Sequence, residues 1–322
     1  MNTPMTTAAT PAKLWRGRQF HNQPEDSHQH RFLCDIWDAV RAETSGCLDI
    51  VVHAQNAGIP DSDPGALRML IEGELEFHTL MGGILGQAVP VTEIQGLPFA
   101  FQSHEQVHRI MDGALGDYLR DEMRAKGIYG LPFGCLENGF RHIVSRDRPV
   151  RTADDLAGYR MRIPDGRVFA DLFQALGAQP VVVNIRELHE ALSSGRVDGQ
   201  ENPLVVCEFN RLYEVSRYVA ITNHMWSGFN LIANLRFWSS LTADVQQVVQ
   251  RNVKLHVGRQ RAYTDAFNRE LETRLAERGM VFNQADVGSF RARLAGGFYT
   301  RWKNEFGSRA WSLLEDAIGP LK

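Results

Sequence analysis

The chain has 322 residues, which is large for one compact core and suits two α/β lobes. Hydrophobic residues make up 43% and charged residues 23%, and the formal net charge is -3. This composition is that of a globular protein, and it lacks the basic surface that nucleic acid or an anionic membrane attracts. Because no apolar run approaches the roughly 20 residues of a membrane-spanning helix, we expect neither a nucleic-acid partner nor a transmembrane segment.

The cellular compartment is not decided by the first residues or by the cysteines. Residues 1–13 are small and polar, and they lack the basic start and apolar core of a secretion signal. A cytoplasmic protein and an exported protein with its signal removed both fit such a flexible leader. The cysteines show no metal-ligand spacing, so we expect free thiols rather than a disulfide between Cys34 and Cys47.

The first third of the chain alternates predicted strands with predicted helices. In the first helix Leu33, Ile36, Trp37 and Val40 recur at helical spacing, which indicates one face packed against a sheet. This alternation predicts an α/β lobe. The predicted strands cover 14–20, 48–54 and 74–80, and the predicted helices begin near 26, run from about 64 to 73, and run from about 103 to 126.

A second α/β region begins near residue 145 and is punctuated by helix caps. Thr152 with Asp155, and Asn184 with Glu187, have the spacing of capping boxes. Three predicted strands, one of them the buried run PVVV, alternate here with three helices. This pattern predicts a parallel sheet whose loops gather at the carboxyl ends of the strands.

The last third of the chain is predicted to be mostly helical. From 241 to about 278 there is little punctuation, so we expect one long helix that bridges two lobes. The aromatic residues of the tail, 289–322, predict a surface that packs against one lobe.

Motifs of catalysis and metal binding are absent from the sequence. There is no GxSxG, HExxH or GxxxxGK[ST] pattern. The pairs His28 with His30 and His104 with His108 lack an obvious carboxylate or thiolate that would complete a metal site. We interpret them as solvated helix histidines, and we expect no metal and no cofactor.

Candidate ligand contacts lie where predicted strands end. Arg162 precedes a proline that ends its strand, so its guanidinium could hold a carboxylate in the crevice of a parallel sheet. A structural ion pair with Asp165 or Asp198 is the alternative, and Arg141 has the same two interpretations. Asn202 could donate to the same anion or simply occupy a turn before a proline.

These residues lie in a stretch that resembles a known family. The segments NGFRHIVSRDRPVRTADDLAGYRMRIP, FQALGAQPV, ELHEALSSGRVDGQENP and YEVSRYVAITNH resemble the solute-binding proteins of TRAP (tripartite ATP-independent periplasmic) transporters. Their order and spacing agree with that family, and the DGQENP phrase is specific. Fainter agreement extends over nearly the whole chain.

The resemblance implies a two-lobed α/β binding protein with a mixed sheet in each lobe, hinge strands and a long lobe-spanning helix. Applied to this chain, it implies that lobe I comprises 14–138 plus 227–266 and that lobe II comprises 139–226 plus 267–322. It further implies a monomeric periplasmic protein, without enzymatic activity, that closes on an organic acid and delivers it to a membrane permease.

The resemblance also implies roles for individual residues. Arg162 matches the arginine that clamps the carboxylate, Arg141 a second arginine, and Asn202 the asparagine of QENP. Asn22 lies at the end of the first strand, where family members often present a polar contact.

Several positions depart from the family pattern and leave the ligand open. Arg186 and His189 replace a usual serine and tyrosine, and His78 follows the third strand where some members place an acidic contact. Trp226 and Phe229 are predicted to line one wall of the cleft, with core packing as the alternative. A sensor that presents its closed state to a receptor and an enzyme on a similar scaffold remain alternative functions.

Overall fold

The computed structural model describes residues 13–321, so most of the expected leader lies outside the described residues. The strands are β1 Trp15–Phe20, β2 Leu48–His53, β3 Phe77–Met81, β4 Ile128–Ser145, β5 Arg160–Ile163, β6 Gln179–Val182, β7 Gly199–Asn202, β8 Tyr218–Asn234 and β9 Val281–Gln284. The helices are α1 His28–Glu43, α2 Asp63–Glu72, α3 Gly82–Leu85, α4 His104–Met111, α5 Ala114–Arg124, α6 Arg167–Ala175, α7 Leu188–Ser193, α8 Leu204–Phe209, α9 Leu235–Ser240, α10 Ala243–Glu277, α11 Val287–Leu294 and α12 Phe298–Ile318.

The strands form one continuous mixed sheet in the order β2-β1-β3-β8-β4-β7-β5-β6, with β9 also paired to β8. Strands β1, β2 and β3 are mutually parallel at one end, and β5, β6 and β7 are parallel at the other. The carboxyl ends of both parallel sets border the same crevice, which is where open α/β sheets bind ligands. The expected α/β architecture is confirmed.

The two halves of the sheet share the long strands β4 and β8. These strands have 18 and 17 residues and pair antiparallel from Ile128 with Asn234 to Ser145 with Tyr218. One half of the sheet pairs with the carboxyl-terminal part of β8, and β7 pairs with the corresponding part of β4. The expected lobe boundaries fall inside these strands and stay a prediction.

The long helix is confirmed, because α10 extends over 35 residues and contacts both α1 and α8. The carboxyl-terminal tail does not pack against one part of the molecule alone. Helix α12 contacts α5, whereas α11 contacts α6. Aromatic side chains such as Trp302 and Trp311 are buried in these contacts. No helix within residues 13–321 combines the length and apolarity that crossing a bilayer requires.

Two sequence-based expectations about secondary structure are wrong. The helix predicted over 103–126 is split into α4 and α5, because Gly113 has an extended backbone and glycine favours helix interiors poorly. The strand predicted as buried, β6, is the last strand of the sheet, and Val182 is 52% exposed. Apolar β-branched residues fit an edge strand as well as a central one, so the run alone could not distinguish them.

Of the two predicted capping boxes, the one at Thr152 is found, whereas at Asn184 only the asparagine caps and Glu187 does not. Thr152 and Asp155 do form a capping box, but it opens a short 3₁₀ turn rather than an α-helix. Asn184 accepts a hydrogen bond from the Arg186 amide, and it likewise opens a 3₁₀ turn that leads into α7. Both caps therefore start tight turns rather than α-helices.

Two helical glycines offer a matched test of packing. A Cβ atom at Gly116 in α5 would lie 1.7 Å from the Met111 carbonyl oxygen, whereas one at Gly258 in α10 would meet nothing within 4 Å. We expect Gly116→Ala to lower the free energy of unfolding by about 1–3 kcal/mol through overpacking. We expect Gly258→Ala to raise it by about 0.5–1 kcal/mol, since alanine restricts the unfolded chain and favours a helix. Urea denaturation measures both, and similar stability of the two variants would contradict this account.

Candidate functional site

A cleft with an empty volume of about 690 Å³ lies between the two halves of the sheet. It is bordered by residues that follow the parallel strands and by side chains of β4 and β8. Five of the seven predicted contacts line it, and two do not. The lining residues are Asn22, Gln23, Asp63, Pro64, Met81, Ile84, Asn138, Arg141, Arg162, Pro164, Asp165, Val182, Val183, Asn184, Ile185, Asn202, Val206 and Phe229.

Arg162 is buried at the end of β5, and its side chain is held by a single hydrogen bond. Nε donates to the Val183 carbonyl oxygen at 2.8 Å. Within residues 13–321 no other hydrogen bond and no ion pair to this guanidinium is formed. Burial lowers the pKa of Arg162 to about 10, a value at which the side chain is still charged at neutral pH.

The acidic residues considered as structural partners of Arg162 are engaged elsewhere. Asp198 forms an ion pair with Arg160, and Asp165 accepts a hydrogen bond from Gln87 at 2.7 Å. The two terminal nitrogens of Arg162 therefore face the cleft without a protein acceptor. A bound carboxylate would supply the missing acceptor through two charge-assisted hydrogen bonds.

Arg141 is also buried, but its charge is compensated within the protein. Nη2 donates to Glu201 Oε1 at 2.8 Å and to the Glu201 carbonyl oxygen at 2.7 Å, and Nε donates to the other carboxylate oxygen. Nη1 donates to Ser227 Oγ at 3.2 Å. The ion-pair interpretation of Arg141 is thus the one that the geometry supports, and Arg141 borders the cleft as part of a fixed pair.

Asn202 is held in the same network. Its Oδ1 accepts a hydrogen bond from Arg141 Nη2 at 3.0 Å, and its Nδ2 donates to Gln200 Oε1. Both ends of the amide are engaged with the protein. Asn202 therefore shapes the wall beside Arg162, and one N–H of its amide is left to donate to a ligand.

On the opposite wall, Asn22 contacts an acidic residue that sequence reasoning missed. Asn22 Nδ2 donates to Asp63 Oδ2, and Asn56 Nδ2 donates to Asp63 Oδ1, both at 2.7 Å. Burial raises the pKa of Asp63, although hydrogen bonds from both amides and the charges of Arg186 and Arg162 favour the charged form. An aspartate at the first position of a helix that follows a strand is the sequence pattern that could have revealed it.

His78 does not line the cleft and instead supports this network from behind. Its Nε2 lies 3.0 Å from Asn56 Oδ1, and burial lowers its pKa to about 3, so the ring is neutral at physiological pH. A neutral ring that donates to Asn56 Oδ1 turns the amide nitrogen of Asn56 toward Asp63. His78 thus orients a neighbour of the cleft.

Trp226 likewise lies outside the cleft, whereas Phe229 contributes to its apolar wall with Met81 and Ile84. The Trp226 indole donates to Glu137 Oε1 at 2.8 Å and packs edge-on against Phe101. Buried indole N–H groups generally need such an acceptor. Core packing, the alternative considered for this tryptophan, describes its position.

The histidine pairs are not solvated as expected. His28 is buried between Phe209 and Tyr263. His104 and His108 reach from α4 to the buried Glu137 on β4, with nitrogen-to-oxygen distances of 2.9 and 2.6 Å. Among the described residues no set of three or more histidine, cysteine or acidic side chains has the geometry of a metal site.

The fold and the cleft together define a two-lobed solute-binding protein with one uncompensated cationic contact. The family model described as "Bacterial extracellular solute-binding protein, family 7" (DctP) matches residues 20–296. The chain belongs to this family, whose members bind solutes and are not enzymes.

Individual relatives bind different acids. The chain is 34% identical over 214 residues to the C4-dicarboxylate-binding periplasmic protein DctP of Rhodobacter capsulatus, a match that covers 65% of this chain and 61% of that protein. A TRAP periplasmic solute-binding protein from Polaromonas, solved with D-erythronate, is 29% identical with a TM-score of 0.88, covering 95% and 99% of the two chains. The sugar acid binding protein of Advenella mimigardefordensis, solved with galactonate, is 25% identical with a TM-score of 0.89, covering 95% and 98%.

Removing one partner of the Arg141–Glu201 pair should destabilise the fold. We expect Arg141→Ala to lower the free energy of unfolding by about 3–5 kcal/mol, because Glu201 then keeps a buried charge without its guanidinium. The double variant Arg141→Met with Glu201→Leu removes both charges, so its free energy of unfolding should fall by less than that of the single variant. Urea denaturation of the single and double variants decides this, and a larger loss in the double variant would contradict the pairing.

The Glu137 contact predicts a pH-dependent contribution to stability. Burial alone would raise the pKa of Glu137, but hydrogen bonds from His104 and His108 lower it to about 2, and the same contact raises the pKa of His104 above 6.5. The carboxylate contribution is present above its ordinary pKa of 4.5 and is lost as pH falls toward about 2. The histidine contribution is present below 6.5 and is lost as pH rises through the higher folded-state value.

The stability difference between the wild type and Glu137→Gln should therefore be largest between about pH 4.5 and 6.5 and shrink on both sides. Denaturation across the pH range gives this profile. A difference that does not vary with pH would show that the histidines and Glu137 are not coupled in this way.

Proposed function

We propose that this protein captures a small organic acid outside the cytoplasm, by closing two lobes over it, and delivers the acid to a TRAP membrane permease. The observation that carries the proposal is the buried Arg162 guanidinium, which borders the cleft without an acceptor from its own chain. Hydroxy, keto and sugar acids all present a carboxylate that would fill this position. The acids bound by the relatives belong to the same broad class.

Hinge closure is the mechanism that the connections between the two halves support. In the predicted lobes, Asn22 and Asp63 belong to lobe I and Arg162 to lobe II, so an acid between them would contact both. A ligand that makes contacts only in the closed state shifts the population toward that state. The Gln87 hydrogen bond to Asp165, between residues assigned to different lobes, is a contact that closure would form.

The proposed location is the periplasm and the proposed state is a monomer. The extracellular description of the family supports the location. The permease is the proposed partner.

Substitution of Arg162 tests the proposed carboxylate contact. We expect Arg162→Ala to weaken binding of the best acid in a panel of D-erythronate, D-galactonate and succinate by about 10- to 150-fold, the equivalent of a charge-assisted contact of about 1.5–3 kcal/mol. Titration calorimetry measures the change. The matched control is Arg160→Ala, which removes an arginine of the same strand that pairs with Asp198 and does not line the cleft.

The ligand-free Arg162→Ala protein should be at least as stable as the wild type, because a buried cation without an ion pair opposes folding. Thermal unfolding without ligand measures this. Unchanged acid affinity, or a loss of ligand-free stability that accounts for weaker binding, would contradict the carboxylate contact.

A further inference from the structure

Asp63 is a second ionisable group in the cleft, and within residues 13–321 it forms no ion pair. Its side chain is 4% exposed. We propose that Asp63 forms a second ligand subsite that accepts hydrogen bonds from hydroxyl groups, so that the protein selects polyhydroxy monocarboxylates over dicarboxylates. This inference rests on the proposed function and names its substrate class.

The surroundings of Asp63 hold its carboxylate in place. Asn22 and Asn56 each donate to one of its oxygens, which leaves acceptor capacity on both oxygens for a ligand. Asn56 is in turn positioned by His78 and donates to Ser62 Oγ at 3.1 Å. These contacts fix the direction in which Asp63 presents its remaining lone pairs.

The backbone before Asp63 is strained in a way that suits a functional position. Asn56, Asp61 and Ser62 have φ values of 48°, 55° and 53°, in the left-handed region that residues other than glycine rarely adopt. Such backbone conformations persist only where the surrounding structure enforces them. The loop between β2 and α2 thus holds an acidic side chain in the cleft at a cost to stability.

The charges of the cleft match one carboxylate and oppose a second. Arg141 is balanced by Glu201, so Arg162 is the cation of the lining that remains for a ligand. Arg162 and Asp63 line the same cleft and form no ion pair with each other. With one carboxylate on Arg162, the far end of a short dicarboxylate would approach the Asp63 wall, where like charges repel.

Next to the carboxylate held by Arg162, a hydroxyl is favoured over an ammonium group, because that position adjoins the positive guanidinium. The amides of Asn138 and Asn184 line the same cleft as Asp63. A hydroxyl both donates to a carboxylate and exchanges hydrogen bonds with amides in either direction, whereas an ammonium only donates. An α-amino acid would place its ammonium group beside the carboxylate held by Arg162. There the ammonium would be repelled by the positive charge of the Arg162 guanidinium.

Matched pairs of acids test the inference on the wild-type protein. D-Erythronate and succinate both have four carbons and differ in carrying hydroxyls or a second carboxylate. D-Glycerate and D-serine differ only in a hydroxyl against an ammonium. In calorimetric titrations we expect D-erythronate to bind at least about tenfold more tightly than succinate. We expect the same preference for D-glycerate over D-serine. In each pair, the acid without the matching hydroxyl leaves polar groups of the cleft unpaired.

Asp63→Asn tests the residue itself. We expect the variant to weaken D-erythronate binding and to reduce the preference over succinate by about tenfold, since the repelling charge is removed and one acceptor is lost. Asp61→Asn is the matched control, because it removes the same charge from the same loop at an exposed position outside the cleft, where Asp61 pairs with Arg68. The control should leave the ratio of the two affinities unchanged.

The outcomes separate this inference from the proposed function. If the wild-type protein binds succinate or D-serine as tightly as its hydroxylated match, and Arg162→Ala abolishes that binding, the Asp63 inference is wrong and the proposed function stands. If the wild type binds none of these acids or D-galactonate, the proposed function fails, and the inference fails with it. The wild-type comparison applies even if Asp63→Asn does not fold.

Discussion

The buried guanidinium of Arg162 has one hydrogen bond from its own chain and no carboxylate partner. Such a group opposes folding, because a charge in a low-dielectric interior requires a counter-charge. The rest of the cleft is arranged so that none is supplied. Asp198 forms an ion pair with Arg160, and Glu201 forms one with Arg141. Asp165 accepts a hydrogen bond from Gln87. In the proposed function, a bound acid would supply this counter-charge and gain affinity from a cation that the empty protein leaves unpaired.

The long strands β4 and β8 make this arrangement possible. Both strands extend through the two halves of the sheet. Asn138 and Arg141 on β4 and Phe229 on β8 therefore border the cleft, whose other walls follow the parallel strands. Register irregularities in their pairing occur near the cleft. Bulges of this kind twist and bend strands, and they commonly lie next to functional sites.

The two walls of the cleft have different chemical characters. The wall around β5 and β7 presents one cation, whereas the wall around β1 and α2 presents an acid and amides held by buried hydrogen bonds. Relatives in the same family bind both C4-dicarboxylates and sugar acids, so the fold does not determine the ligand. Differences between the side chains opposite the arginine decide which acids fit.

Much of the architecture was predictable because it depends on local patterns. The apolar stripe of α1, the uninterrupted run that became α10 and the cap at Thr152 reflect helix periodicity and backbone hydrogen bonding within a few residues. The split between α4 and α5 and the edge position of β6 were missed. The edge position depends on contacts with distant parts of the chain and the split on the backbone conformation of Gly113, neither of which periodicity reports.

The sequence by itself determined the family, the alternation of strands and helices, and the position of Arg162 at a strand end, because these follow from residues close in the chain. Only the tertiary structure decided which arginine is compensated: Arg141 and Arg162 look alike in sequence, but Glu201 reaches one and not the other. It also placed His78 and Trp226 behind the cleft and Asp63 within it. Charge pairing between distant residues depends on three-dimensional distance, which spacing along the chain does not encode.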